Sequence, residues 1–147
     1  MVICILIASA LSLLSIFAFF GEIAKIGGIL SSNNMFALMF GTNGSLRNDG
    51  YTFLFILQVV IMLVAVFGLF VAYKIKQGED GKRGAIIAGA SAVLSVVAAI
   101  MAFCSLMILE VNVSGVSLST GPIIYGVAHI LSAVASGAAA VLYLKRK

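Results

Sequence analysis

Residues typical of soluble protein surfaces are scarce in this chain. Charged side chains occupy 10% of its 147 positions, histidine and proline occur once each, and tryptophan is missing. Soluble domains carry about 25% charged residues, so this composition excludes an ordinary soluble domain. Hydrophobic residues make up 63% of the sequence instead. The chain is therefore predicted to be an integral membrane protein.

Four long stretches contain no charged side chain at all: residues 1–21, 50–73, 84–109 and 111–144. A helix needs roughly 20 mainly apolar residues to cross a bilayer. We therefore expect helices near residues 2–20, 51–73, 85–109 and 122–144, with Pro122 in the first turn of the last one. The predicted fold is all-α: one domain over residues 1–147, built as an antiparallel bundle of four transmembrane helices.

The first predicted helix also has a feature of a secretory signal peptide, because Ala8-Ser9-Ala10 places small residues at cleavage-like spacing. It lacks a basic segment before the apolar run, and that run is longer than a usual signal core. We interpret it as a retained span.

The lysines and arginines predict the orientation in the membrane. Seven cations and two anions, a net charge of +5, lie in residues 74–84 and at the C-terminal tail, whereas two cations and three anions, a net charge of −1, lie on the other side. We therefore expect both termini and the 74–84 loop to be cytoplasmic, in a multi-pass protein of the plasma membrane. No basic patch is interleaved with aromatics, so the net charge of +4 reflects topology and no nucleic-acid partner is expected.

The two predicted outer loops cover residues 21–50 and 110–121. The first is unusually apolar, and Met35, Phe36, Met39 and Phe40 form a candidate docking loop; the alternative is a short helix lying at the bilayer surface or over the bundle mouth. The second loop alternates apolar and polar residues around Ser114-Gly115, a pattern that predicts a short β-hairpin. Asn43 and Asn112 match the N-glycosylation pattern, which matters only in a eukaryotic host.

A stripe of small residues, here called the packing seam, follows each predicted helix at alternating steps of four and three. Small side chains let membrane helices approach closely and hydrogen-bond to each other, so we expect the seam to face protein, with left-handed packing. The third and fourth helices should form the tightest pair. The seam comprises Ala8, Ser12 and Ser15; Gln58, Ala65, Gly68 and Ala72; Gly84, Ala88, Ser91, Ser95, Ala98, Ala102 and Ser105; and His129, Ser132, Ser136 and Ala140.

Four polar seam residues, Ser15, Gln58, Ser105 and His129, fall at similar depth in the outer half of the predicted bundle. Polar groups at membrane depth mark candidate functional sites. One interpretation is an ordinary hydrogen-bonded core cluster, and the other is a proton-sensitive switch or part of a small ligand pocket. Glu110 and Asn112, at the outer end of the third helix, are candidates for an outer vestibule, since rings of carboxylates attract cations in oligomeric channels.

Catalytic motifs are missing. The chain has one histidine, no CxxC, no HExxH and no Gly-rich phosphate loop, and its predicted spans contain no Asp or Glu. No metal site, cofactor or activated nucleophile is therefore expected. Cys4 falls near the predicted inner end of the first helix and Cys104 near the predicted outer end of the third. A disulfide between them would have to cross most of the bilayer, so both should be free thiols.

The predicted plan of inside termini, a longer first outer loop, a shorter second one and a small outer sheet resembles that of claudin-type tetraspan proteins. Those proteins carry a Trp-based signature and a cysteine pair in the first outer loop. This chain has no tryptophan, and both of its cysteines fall in predicted helices. The resemblance therefore covers the plan alone and transfers no functional residues.

These features favour a non-enzymatic membrane protein that associates with itself or serves as an accessory subunit of another membrane protein. The alternative is a small channel or carrier formed by several protomers, with Glu110, Asn112 or the level of Gln58 and His129 along its path. If the packing seams all face inward, one protomer has no room for a pore.

Overall fold

A computed structural model describes residues 1–21, 24–26, 29–30, 34–40, 48–79, 81–108 and 116–145. Four helices are long and apolar enough to cross a membrane: Val2–Phe20, Asp49–Lys76, Lys82–Phe103 and Thr120–Leu144. The described chain is almost entirely helical, which confirms the predicted all-α membrane class and the number of spans. The first predicted span has the observed bounds, and each of the other three differs from the observed helix by two to six residues at one end or both.

The first span changes its helical form part way along. It begins as α1, an α-helix over Val2–Leu14, and continues as a 3₁₀ helix over Ser15–Phe20. The carbonyl of Ser12 accepts hydrogen bonds from the side chains of Ser15 and Gln58, at 2.8 and 2.9 Å. Side chains that compete for a helical carbonyl disturb the regular ladder, and the change of form lies at this point.

The third span ends earlier than predicted. Helix α4 runs over Lys82–Phe103, Cys104 forms a turn, and a short helix α5 covers Ser105–Ile108. The hydroxyl of Ser105 donates to the carbonyl of Ala102 at 2.6 Å. Such back-bonding by serine competes with the backbone and bends helices, so the predicted single helix over 85–109 is wrong at its outer end.

Three further helices complete the described helical part of the chain. Helix α2 covers Met35–Phe40, and α3 covers Asp49–Lys76. Asn48 caps α3, because its side chain accepts a hydrogen bond from the Tyr51 N–H at 3.2 Å. The last helix, α6, covers Thr120–Leu144.

The four long helices pack in a ring. Helix α1 contacts α3 and α6, α3 also contacts α4, and α4 forms with α6 the most extensive contact. Ser91 bonds to Ser136 and Ser95 to Ser132, so α4 and α6 run in opposite directions. These two helices carry the longest stripes of small residues, which predict that they pack most closely.

The packing seam lies inside this ring. All of its residues are buried except Ala140, which is half-buried, while the neighbouring Ala139 is fully buried. The buried stripe of α6 therefore takes a step of three after Ser136, and the expected position of Ala140 on the seam is wrong by one residue.

A small sheet joins the two predicted outer loops. Strand β1, Ala24–Ile26, pairs antiparallel with β2, Ile29–Leu30, and with β3, Val116–Leu118, in the order β2-β1-β3. Lys25 stands opposite Leu30 on one side and opposite Ser117 on the other. The hairpin predicted for the second loop falls largely on residues 111–115, outside the described residues.

Candidate functional site

Gln58 is the centre of a hydrogen-bonded cluster inside the bundle. Its Nε2 donates to the Ser12 carbonyl at 2.9 Å and to the Ser15 hydroxyl at 3.0 Å. Its Oε1 accepts from the Tyr125 hydroxyl at 2.8 Å and lies 3.0 Å from Nε2 of His129. A glutamine amide has two donor hydrogens and two acceptor lone pairs, so every one is used although the side chain is fully buried.

These bonds determine the tautomer of His129. The Ser12 carbonyl can only accept, so the amide nitrogen of Gln58 must face it, and Oε1 must face the histidine. Because Oε1 can only accept, Nε2 of His129 carries a hydrogen in this arrangement, and when the imidazole is neutral this is the Nε2–H tautomer. Its Nδ1 is buried and has no partner, a property shared with the Ser119 hydroxyl among the described residues.

A second layer of hydroxyl groups continues the cluster towards the other end of the bundle. The Ser132 hydroxyl donates to the Ala8 carbonyl at 3.1 Å and lies 2.9 Å from the Ser12 hydroxyl and 3.4 Å from that of Ser95. All three serines are fully buried. The hydroxyls thereby connect α1, α4 and α6, and the Gln58 amide connects α3 to them.

Three of the four residues predicted for the polar cluster come together: Ser15, Gln58 and His129. Ser105 does not join them, because its hydroxyl bonds to the Ala102 and Met101 carbonyls of the preceding helix α4 and its carbonyl faces the Tyr51 hydroxyl at 3.5 Å. Similar depth and a place on the seam are the grounds for including Ser105, and neither brings its side chain to the surface that faces Gln58.

The sequence does not identify Tyr125 as a member of the cluster, because a tyrosine near a helix end is typical of an interfacial anchor, and Tyr51, Tyr73 and Tyr143 occupy similar positions. Tyr125 and Tyr51 are fully buried, whereas Tyr73 is exposed. Tyr125 precedes His129 by four residues and therefore shares its helix face; this spacing could have identified it. The centre of its ring lies 4.4 Å from that of the His129 imidazole and 5.3 Å from that of the Phe19 ring. Aromatic rings therefore pack against this side of the cluster.

The candidate docking loop contributes mostly to the protein's own packing. Met35 is 0% exposed and belongs to the core, so it cannot dock a partner. The ring of Phe36 stacks on that of Phe20 at 5.5 Å. Phe40 is 56% exposed and touches the rings of Phe36 and Phe55, so it is the member that presents surface; the Met39 side chain lies outside the described residues.

Several other predicted residues also lie outside the described part of the chain. They are the vestibule residues Glu110 and Asn112 and the glycosylation candidate Asn43. Cys4 and Cys104 are free and half-buried, as predicted. Within the described ranges, no group of three His, Cys, Asp or Glu side chains is arranged to hold a metal ion.

Most hydrogen-bonding groups of the cluster are already occupied. Its donors and acceptors are consumed by one another, apart from Nδ1 of His129, and no carboxylate or thiol contacts it among the hydrogen bonds of the described residues. A cavity enclosed by residues of all four long helices, next to Ser9, Ser91 and Ser136, has a volume of about 10 Å³. That is roughly the space needed by one water molecule.

An apolar groove lies outside the bundle, between α4 and α6. It has a volume of about 430 Å³ and is lined on one side by Val96, Ile100 and Phe103 and on the other by Ile130 and Val134, with Ala99 and Ala133 between them. No ionisable side chain other than the thiol of Cys104 lines it.

Comparison with protein-family models, curated proteins and solved structures gives no match to this chain.

Proposed function

We propose that this is a non-enzymatic integral membrane protein that acts by associating, through its lipid-facing helix surfaces, with a second copy of itself or as an accessory subunit of another membrane protein. The proposal places it in the plasma membrane with both termini cytoplasmic, since the basic residues concentrate on one side of the predicted topology.

The observation that carries the proposal is the apolar groove between α4 and α6. Large exposed side chains such as Ile100 and Val134 border it, and small residues such as Ala99 and Ala133 lie at its centre. Small residues between larger ones let a neighbouring membrane helix approach closely. Gly137 follows Ala133 by one helical turn, and a Cβ added there would meet nothing within 4 Å, so the same face stays open further along α6.

The interior supports association rather than passage through one protomer. The cavity beside Ser9, Ser91 and Ser136, about 10 Å³ in volume, holds at most about one water molecule, and the polar groups around Gln58 bond to each other. A channel or carrier, the alternative function, would therefore need a path between protomers.

The test measures the mass of the protein in lipid nanodiscs by native mass spectrometry, for the wild type and two variants of α6. Gly137→Leu fills the open face beside the groove, whereas Ala138→Leu enlarges the next residue, which is exposed but points to another face. We expect an oligomer, or a partner recovered by crosslinking in the native membrane, that is lost in Gly137→Leu and kept in Ala138→Leu.

A wild-type protein that is monomeric and crosslinks to no membrane protein contradicts the proposal. Equal loss of assembly in both variants contradicts the choice of this face. In the same assay Phe40→Glu tests the outer loop, where only Phe40 is shown to present a large exposed ring.

A further inference from the structure

The turn between α3 and α4 has a defined geometry that brings charged side chains together. Gly78 has a φ of +99°, its N–H donates to the Ile75 carbonyl, and the N–H of Glu79 donates to the Lys74 carbonyl. These two bonds are those of a Schellman motif, which ends a helix and reverses the chain over its last turn. Glu79 is thereby held beside the end of α3.

Two cations and one anion meet at this turn. Nζ of Lys74 lies 3.1 Å from Oε1 of Glu79 and 5.9 Å from the centre of the Phe70 ring. Arg83, in the first turn of α4, lines the same cavity, which has a volume of about 270 Å³. Within the described residues Arg83 forms no ion pair or side-chain hydrogen bond, and the three side chains together carry a charge of +1.

The cavity combines charged and apolar walls at the level where a bilayer surface must lie. Phe70, Val71 and Ile75 form its apolar side, and they belong to the last turns of a membrane-spanning helix. Lys74, Glu79 and Arg83 form its polar side, at and beyond the end of that helix. A lipid has the same order of groups along the bilayer normal, with apolar acyl chains towards the membrane centre and a phosphate at the surface.

We propose that this cavity binds the headgroup of an anionic phospholipid. Arg83 offers a fork of N–H donors that matches a phosphate bidentately, and Lys74, held by Glu79, supplies a second cation. The net charge of +1 suits a singly charged phosphodiester, while a choline group would bring a further positive charge. Basic pockets between transmembrane helices at the membrane surface are a known mode of recognition for anionic lipids.

The test is a lipid titration of the purified full chain in detergent, followed by native mass spectrometry. The probes are phosphatidylglycerol, phosphatidylcholine and the water-soluble glycerol phosphate. Arg83→Gln is compared with Lys145→Gln, which removes the same charge from an exposed position at the end of α6. Lys74→Gln serves as a second variant in the cavity, and melting curves in detergent verify that each variant is folded.

We expect tight phosphatidylglycerol binding that is weakened roughly fivefold or more by Arg83→Gln and by Lys74→Gln, and hardly at all by Lys145→Gln. Equal weakening in all three variants would mean diffuse attraction to surface charge and would overturn the site. Equal binding of phosphatidylcholine would overturn the preference for an anionic headgroup. Competition by glycerol phosphate as effective as that by the lipid would overturn a lipid ligand in favour of free phosphate.

Discussion

At the scale of single residues, Gln58 does more than any other described side chain to join the helices. Its amide bonds to the first span through Ser12 and Ser15 and to α6 through Tyr125 and His129. A buried donor or acceptor that loses its partner costs about 1–3 kcal/mol. The amide therefore stabilises a particular arrangement of helices that apolar packing alone would not specify.

Gln58→Leu should lower the free energy of unfolding by about 2 kcal/mol, because it leaves the Tyr125 hydroxyl and the His129 N–H without acceptors in the bundle. Unfolding by titration with a denaturing detergent, followed by circular dichroism, measures this change. Ser105→Ala is the matched control, since that hydroxyl bonds only to the nearby carbonyls of Met101 and Ala102, and it should change the stability by less than about 0.5 kcal/mol. Similar losses in both variants would contradict the structural role given to the cluster.

A second residue-scale prediction concerns the turn that ends α3. Gly78→Ala should lower the free energy of unfolding by about 1 kcal/mol, since an alanine is strained at a φ of +99°. No neighbouring atom lies within 4 Å of an added Cβ, so backbone conformation is the only cause. Gly78→Asn, which tolerates this conformation better, should lose less in the same unfolding experiment; an equal loss would contradict the conformational explanation.

At the scale of helices, charge-free length predicted the existence of all four spans. A helix that crosses the bilayer needs a sufficiently long run of apolar residues, and the composition of each span shows this directly. The details that failed depend on other parts of the chain. The 3₁₀ segment begins near the Ser12 carbonyl, which accepts a hydrogen bond from Gln58 of another helix. The break after Phe103 lies where the Ser105 hydroxyl bonds back to the Ala102 carbonyl. The hydrophobic periodicity of a single helix predicts neither feature.

Two glycines outside the predicted seam bring two elements close together. A Cβ added at Gly21, just after the 3₁₀ helix, would lie 2.6 Å from the Cα of Gly121 in the first turn of α6. Backbone atoms cannot rotate away as a side chain can. Small residues permit such a contact between helix ends, as they do along helix interiors.

Gly21→Ala should therefore lower the free energy of unfolding by about 2 kcal/mol, the usual range for overpacking. Gly137→Ala is the matched control, because it adds the same methyl group where nothing lies within 4 Å, and alanine favours a helix by up to about 1 kcal/mol over glycine. Detergent-titration unfolding of the two variants should give changes of opposite sign. A Gly21→Ala protein as stable as the wild type would contradict the close approach.

At the scale of the whole molecule, the sequence identified the membrane class and much of the buried surface but only part of the polar cluster. Small residues at helical spacing predicted which face of each helix turns inward, because close packing leaves little room for other side chains. The partners of a given polar atom depend on the rotation and depth of several helices together. Ser105 was wrongly included for this reason, whereas the four-residue spacing between Tyr125 and His129 could have identified Tyr125.

The orientation in the membrane is a property of the whole chain that the distribution of its cations predicts. Moving the Lys74–Arg83 turn across the bilayer would carry four cations and two anions with it, whereas the other side has a net charge of −1, so the positive-inside rule favours a cytoplasmic turn. Single cysteines at Gln77 and Ser117, both exposed, report the two sides in a background with Cys4→Ala and Cys104→Ala. In intact cells a membrane-impermeant maleimide should label Ser117→Cys at once and Gln77→Cys only after permeabilisation. Labelling in the reverse order would place the basic turn outside and would remove the reason for expecting cytoplasmic termini.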